Sequence, residues 1–81
     1  MTNPILRVES DPQADAVYIH LRDVPVSFTR ELDDRCYVDY GADDQPVGID
    51  LLSVSHGVEV SRLPYSSDIA RVVECLGLKI W

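Results

Sequence analysis

The stretch that decides the fold is Asp11-Pro12-Gln13-Ala14-Asp15-Ala16-Val17-Tyr18-Ile19-His20-Leu21. Proline fixes its own φ and biases the preceding residue away from helix, so this stretch begins with a turn. Apolar and polar residues alternate after the turn, which is the pattern of a strand with one buried face and one solvated face. We interpret Asp11, Pro12 and Asp15 as a turn signature, because aspartate side chains accept amide hydrogen bonds that shape turns. A ligand held by the two carboxylates is the alternative interpretation.

The same alternation extends in both directions from this strand. It predicts further strands over residues 5–9, 26–32, 36–40 and 47–54, joined by turns rich in Asp, Gly and Pro. On the third strand, Val26 and Phe28 are expected on the apolar side. Pairing the strands in sequence order places Phe28 opposite Tyr40. It also places Tyr37 opposite Asp50, a register that avoids setting two aspartates directly opposite each other.

The pattern changes after residue 55. Ile69, Val72, Val73 and Leu76 recur at the spacing of one helix face, which predicts a helix over about residues 66–76. Ser66, Ser67 and Asp68 supply short oxygen-bearing side chains for its first turn, and an Asp68–Arg71 pair is expected there. A helix of this length is only marginally stable on its own. We therefore expect it to pack on the apolar face of the sheet. Residues 78–81 alternate again and predict either an added edge strand or an oligomer contact.

These elements define one domain over residues 1–81, with a sheet over 1–55 and a turn, helix and short terminal strand over 56–81. The predicted fold class is α+β: an antiparallel β-meander of about five strands with one C-terminal helix. A chain of 81 residues has a small core, so association with a second copy is a natural way to bury more surface. We therefore expect a homo-oligomer, with a dimer as the first hypothesis.

Charge and segment composition exclude several classes of protein. Fourteen acidic against seven basic residues give a net charge of −7, which repels phosphate backbones and argues against nucleic-acid binding. A basic protein partner fits this charge better. There is no apolar run long enough for a membrane span. Residues 1–4 carry neither a basic nor an apolar signal region, so we expect a cytoplasmic protein without a secretory signal.

Both cysteines, Cys36 and Cys75, stand alone within apolar patterns. We predict that both are reduced core residues and that they do not form a disulfide.

The outward-facing residues of the predicted strands form the candidate site. They include two aromatic residues, a histidine and several carboxylates, namely Tyr18, His20, Glu31, Tyr37, Asp39 and Asp50. Carboxylates near a histidine suit acid–base or metal chemistry, whereas alternation alone puts polar residues on any solvated sheet face. The aromatic residues and a glycine on this face favour a binding surface over catalysis.

Other chemistries lack a required residue. Asp39 and Asp50 resemble the acid pair of nuclease hairpins, but Leu52 stands where a lysine is needed. The histidines and cysteines are too scattered for a zinc site, and the acidic loop tips lack the EF-hand ligand series. No catalytic residue, metal site or cofactor is therefore predicted.

Several pieces of the sequence together match a known pattern. These are residues 11–19, Glu31, residues 38–40 and residues 47–52, and over about residues 8–55 the chain resembles the small prokaryotic domain-of-unknown-function family 2283. The resemblance implies a compact sheet-rich domain without an established activity. Some relatives stand beside toxin-like small proteins, which implies an antitoxin-like or partner-binding role. Two positions depart from the pattern: Gln45-Pro46 replaces a turn glycine, and Asp50 replaces a glutamate.

Two functions follow as hypotheses. The first is a non-catalytic protein-interaction module that acts as the acidic partner of a basic small protein. The second is a small-ligand binder or small enzyme that uses the polar sheet face.

Overall fold

The computed structural model describes residues 4–81. The strands are β1 (Arg7–Asp11), β2 (Ala16–His20), β3 (Phe28–Asp33), β4 (Cys36–Tyr40) and β5 (Pro46–Leu52). A 3₁₀-helix, Val54–His56, and the α-helix α1, Ser66–Cys75, follow them. The predicted absence of a secretory signal concerns residues 1–4, of which residues 1–3 lie outside the described part of the chain. Within residues 4–81, no helix has the length and apolar content of a membrane span.

The five strands form one antiparallel sheet in the order β1-β2-β5-β4-β3. The predicted α+β class, an antiparallel sheet followed by one helix, is confirmed. The meander connectivity is wrong at one connection, because β5 lies between β2 and β4 and β3 lies at the far edge. Strands β2 to β5 therefore follow the order of a Greek key, in which a longer connection brings a fourth strand back beside the first.

Burial explains why β5 takes the central position. Four of its seven residues are buried, whereas the first four residues of β3 are exposed. Placing the most apolar strand between two neighbours removes more apolar surface from water than placing it at an edge. Residues 21–27 make the crossing, and the amides of Leu21 and Arg22 donate to the Val47 carbonyl on the way.

Two predicted cross-strand pairs are confirmed. Phe28 lies opposite Tyr40 between β3 and β4, and Tyr37 lies opposite Asp50 between β4 and β5. Like-charge avoidance and apolar pairing thus give the register at these two pairs, whereas register shifts between Glu31 and Asp33 and between Asp39 and Tyr40 change it at the strand ends.

One face of the sheet packs against α1, as predicted. The buried side chains of β2, β4 and β5 form one cluster with Ile69 and Val73 of the helix. The predicted Asp68–Arg71 pair is present at 3.7 Å. The predicted capping by short oxygen-bearing side chains is wrong: the N-cap is Tyr65, in the left-handed region with φ 56°, and it makes no side-chain cap bond.

The C-terminal segment pairs with residue 58 outside the five-stranded sheet. Val58 and Ile80 form an isolated parallel bridge, and the Trp81 amide donates to the Val58 carbonyl at 2.9 Å. Trp81 also lies over Gly57, where φ is 100° and a Cβ would overlap the indole ring. This segment therefore pairs within the chain but does not extend the sheet as the predicted edge strand would.

The apolar residues that lead into β3 are a second correction. Val26 and Phe28 were expected on the buried side, but they are 49% and 39% exposed. They lie at the sheet edge, where only β4 flanks the strand. Alternation identified the face on which Phe28 lies but not whether another element covers it.

The two cysteines differ in their exposure to solvent. Cys36 is buried, as predicted, and Cys75 is exposed, so the prediction that both are core residues is wrong for Cys75. Position 75 falls outside the helix face formed by Ile69, Val72 and Val73, which accounts for the difference. Both thiols are free.

We predict that the native protein reacts with one equivalent of an aromatic disulfide reagent at neutral pH. Burial raises the pKa of the Cys36 thiol to about 12, so the reactive thiolate is scarce there, while Cys75 is open to solvent. Unfolding in denaturant should release a second equivalent. Rapid reaction of both thiols in the native protein would contradict this burial, and a Cys75→Ser variant assigns the first equivalent.

Candidate polar-face site

The candidate site lies on the sheet face opposite α1, and antiparallel pairing arranges its side chains in rows across the strands. One row crosses all five strands and alternates acid with tyrosine; we call it the acid–tyrosine row, and its members are Glu9, Tyr18, Asp50, Tyr37 and Glu31. The adjacent row, called the second row, consists of Arg7, His20, Gly48, Asp39 and Thr29. The structure thus places all six residues of the sequence-predicted site on one face, within two neighbouring rows.

Asp39 is the most heavily hydrogen-bonded side chain in the two rows. The Tyr18 hydroxyl donates to its Oδ2 at 2.6 Å, and the Thr29 hydroxyl donates to its Oδ1 at 2.6 Å. These bonds link three strands, because Tyr18 lies on β2, Asp39 on β4 and Thr29 on β3. Partial burial, followed by the hydrogen bond to Asp39, raises the pKa of Tyr18 well above its ordinary value.

Gly48 makes the contact between Tyr18 and Asp39 possible. It lies on β5 between the two strands that carry them, and a Cβ at this position would overlap the Tyr18 ring and hydroxyl. The missing side chain lets the Tyr18 ring lie across the backbone of β5 and reach β4. Sequence analysis did not assign this role to Gly48, because it depends on β2 and β5 being neighbours.

Asp50 occupies the centre of the acid–tyrosine row, between Tyr18 and Tyr37. Among residues 4–81 its carboxylate has no hydrogen-bond or ion-pair partner, unlike that of Asp39. Partial burial and, second, the charge of Asp39 raise the pKa of Asp50. Its carboxylate is the acceptor on this face that a bound group would meet without displacing a bond already made.

We predict that Asp50→Asn raises the free energy of unfolding at neutral pH. Because the folded-state pKa of Asp50 is raised, the folded protein binds this proton more readily than the unfolded chain does. The parent therefore gains stability relative to the variant as the pH falls through that pKa, and the advantage of the variant should shrink toward zero in acid. Urea unfolding over a pH series measures the difference.

The matched control for this prediction is Glu74→Gln. Glu74 is exposed on α1, on the other side of the sheet, so its loss of charge should change stability little at any pH of the series. An Asp50→Asn variant that is less stable than the parent at neutral pH would contradict the prediction.

The two ends of the acid–tyrosine row differ in charge. At the β1 end, His20 Nε2 lies 2.8 Å from Glu9 Oε1, and Arg7 Nε lies 3.5 Å from the same oxygen. At the β3 end, the hydrogen bond between Tyr37 and Glu31 raises the pKa of the Tyr37 hydroxyl. Arg7, the arginine of the two rows, thus lies on β1, while Asp50, Asp39 and Glu31 make the other half acidic.

The turn signature lies outside these rows and has structural contacts. Asp11 accepts a hydrogen bond from the Ala14 amide, and Asp15 accepts bonds from the amide and hydroxyl of Ser55 at 3.0 and 2.7 Å. Asp15 also adopts the left-handed region, with φ 54°. The β1–β2 turn is thereby tied to the segment that follows β5.

The best-formed cavities lie away from the polar face. Three cavities of about 280, 230 and 340 Å³ are each lined by residues outside the two rows. In the part of the chain that the structure describes, no three His, Cys, Asp or Glu side chains are placed to hold a metal ion. The rows therefore offer hydrogen-bonding and ion-pairing groups outside these three cavities.

Four members of the two rows are not among the predicted site residues, namely Arg7, Glu9, Thr29 and Gly48, although a glycine was expected on this face. Arg7 and Glu9 alternate with the apolar side of β1, so a complete application of the same rule would have included them. Thr29 was placed on the polar side of β3 but carried no obvious chemistry.

The comparisons with known proteins give one match. The model of the family described as Protein of unknown function (DUF2283) matches residues 7–55, from the start of β1 to just beyond β5. The match contains both rows and leaves out α1. No curated protein and no solved structure matches the chain.

Proposed function

The chain belongs to the family Protein of unknown function (DUF2283), and on that premise we propose that it is a non-catalytic protein-interaction module whose polar sheet face binds a basic segment of another protein. The observation that carries the proposal is the acid–tyrosine row. It lies in the family-matched part of the chain, and it presents carboxylates and aromatic rings in alternation across the whole sheet.

The spacing of the row suits a segment with several cationic side chains. Neighbouring strands lie about 4.8 Å apart, so carboxylates on every second strand are spaced by about 9.6 Å. Asp50 lies between Tyr18 and Tyr37 in the row, and aromatic rings attract cations at their faces, which suits a lysine or arginine of the partner. Asp50 also needs a counter-charge, because no group within residues 4–81 supplies one.

The charge of the chain adds long-range attraction to this local fit. A net charge of −7 on 81 residues steers basic partners toward the protein and repels acidic ones. The acidic half of the face, around Asp50, Asp39 and Glu31, gives that attraction a definite docking position.

The position of the cavities favours a protein partner over a small molecule at the polar face. Small-molecule sites are concave and bury most of their ligand, whereas the three cavities lie away from both rows. A small enzyme or ligand binder that uses Tyr18, His20, Asp39 and Asp50 is the alternative. It would need a cavity over this face, and the Asp39 oxygens already accept two internal hydrogen bonds.

An antitoxin-like role is the more specific form of the proposal. In this form the partner is a small basic protein whose cationic surface is covered by the polar face. The resemblance noted from sequence suggests this form, and the acidic half of the face supplies the complementary charge.

Affinity capture from the native host, followed by reconstitution, tests the proposal. The full chain should retain a basic protein, identified by mass spectrometry, and the two purified proteins should form a complex that weakens as salt concentration rises. An Asp50→Lys chain serves as the matched negative bait. Failure to reconstitute any complex, or equal capture by both baits, would overturn the proposal.

A further inference from the structure

Strand β3 is an edge strand of the sheet. Among residues 4–81 it pairs with β4 alone, and Phe28, Thr29, Arg30 and Glu31 are all exposed. Natural edge strands are usually guarded by charged side chains, above all lysine, by proline, by a β-bulge or by a covering segment. Residues 27–31 contain neither lysine nor proline; Arg30 and Glu31 carry opposite charges, and the register shift of β3 lies at its far end, between Glu31 and Asp33. Cover begins only at Leu32, whose carbonyl accepts a bond from Arg62 at 3.2 Å.

The same edge exposes an apolar patch. Val24, Val26 and Phe28 are all large apolar residues with more than a third of their surface in contact with solvent. The Phe28 ring stacks on Tyr40 at 5.0 Å between centroids, and the Arg30 guanidinium lies 5.7 Å from the Tyr40 ring. An apolar patch beside an unpaired strand edge is typical of an association surface.

We propose that a second copy of this chain occupies this edge, with the two β3 strands antiparallel and related by a two-fold axis at Thr29. The two sheets then join into one sheet of ten strands, and the patches around Phe28 come together beside the axis. The proposal concerns the edge of the sheet and does not rest on the polar-face function, although Thr29 and Glu31 also belong to the two rows.

Charge and side-chain direction select the register. Opposite residues of an antiparallel pair lie on the same face of the sheet. The two-fold axis between two copies of β3 must therefore pass through a residue, and the exposed candidates are Phe28, Thr29, Arg30 and Glu31. An axis at Arg30 or at Glu31 sets two like charges directly opposite each other, which is destabilising. An axis at Phe28 sets Arg30 opposite Val26 and Glu31 opposite Pro25, which has no N–H to donate, so its pairing extends further before β3 than the pairing around Thr29 does.

The axis at Thr29 gives favourable pairs throughout. Thr29 faces its own copy, and threonine pairs opposite threonine favourably in sheets. Phe28 faces Arg30 of the second copy, which adds a cation to the aromatic pair already formed with Tyr40. Ser27 faces Glu31, and pairing ends before the Leu32 carbonyl that Arg62 covers.

Light scattering after size-exclusion chromatography gives the first test. The parent chain should have twice the 9.1 kDa mass of one copy from micromolar to millimolar concentrations. Thr29→Lys places two ammonium groups at the axis and should halve that mass, while Ser10→Lys, on the exposed edge strand β1, should leave it unchanged. A monomeric parent, or a Thr29→Lys variant that stays dimeric, would overturn the proposal.

Disulfide trapping tests the register in a Cys75→Ser background. Oxidised Thr29→Cys should yield a covalent dimer, because the two introduced thiols face each other across the axis. Arg30→Cys should not, since its two copies are displaced along the strands, and Ser10→Cys controls for collisions between exposed edges. Trapping by Arg30→Cys without trapping by Thr29→Cys would rule out this register, whatever the fate of the polar-face proposal.

Discussion

Replacing Ile49 with alanine is expected to lower the free energy of unfolding by about 2–5 kcal/mol. Ile49 is 0% exposed on the central strand β5, and it lies directly opposite Ile19 on one side and Val38 on the other. Both neighbours are also fully buried, so the surrounding side chains have little room to close the cavity.

The loss is large relative to the stability available. The free energy of unfolding of a natural domain is roughly 0.05–0.15 kcal/mol per residue, which gives about 4–12 kcal/mol for a chain of 81 residues. Urea unfolding followed by circular dichroism should therefore show a greatly lowered midpoint or a chain that is partly unfolded in buffer. Leu6→Ala, at a position that is 59% exposed, is the control and should change stability by less than about 0.5 kcal/mol. Equal effects of the two variants would contradict the central position of β5.

Asp50→Lys is expected to weaken binding of a lysine-rich peptide by about a hundredfold, which is about 2.7 kcal/mol. The substitution replaces the unpaired carboxylate at the centre of the acid–tyrosine row by an ammonium group. An approaching cation then meets a like charge, and like-charge contacts at an interface cost several kcal/mol. Isothermal titration calorimetry at low salt measures the change.

The control must separate local charge from net charge. Glu74→Lys changes the net charge from −7 by the same two units, but on the helix side of the sheet. We expect only the modest loss that follows from weaker long-range attraction. Equal losses for Asp50→Lys and Glu74→Lys would show that overall charge, not the polar face, governs binding.

Alternation in the sequence was sufficient to collect the predicted site residues on one face. A period of two residues determines which side chains share a face, so Tyr18, Tyr37, Asp39 and Asp50 could be grouped without knowing the topology. The helix face containing Ile69 and Val73 followed in the same way from its own period. These features depend on the local repeat of a strand or a helix, which can be recognised in a single sequence.

Strand neighbours could not be derived in this way. Alternation is the same whether β2 lies beside β3 or beside β5, and only the burial of β5 between two partners decides between them. The contact of Tyr18 with Asp39 across Gly48, and the continuous acid–tyrosine row, depend on that choice. The exposure of Phe28 was missed for a related reason, since the predicted face of a strand says nothing of what covers it.

Chemical-shift mapping of the ¹⁵N-labelled chain with the same lysine-rich peptide tests the central claim most directly. We predict that the largest shift changes fall on amides of the two rows, around Tyr18, Asp39 and Asp50, and that a glutamate-rich peptide of equal length produces none. Changes centred on the acidic loop tips or on α1, with the rows unaffected, would contradict the claim that the polar face is the binding surface.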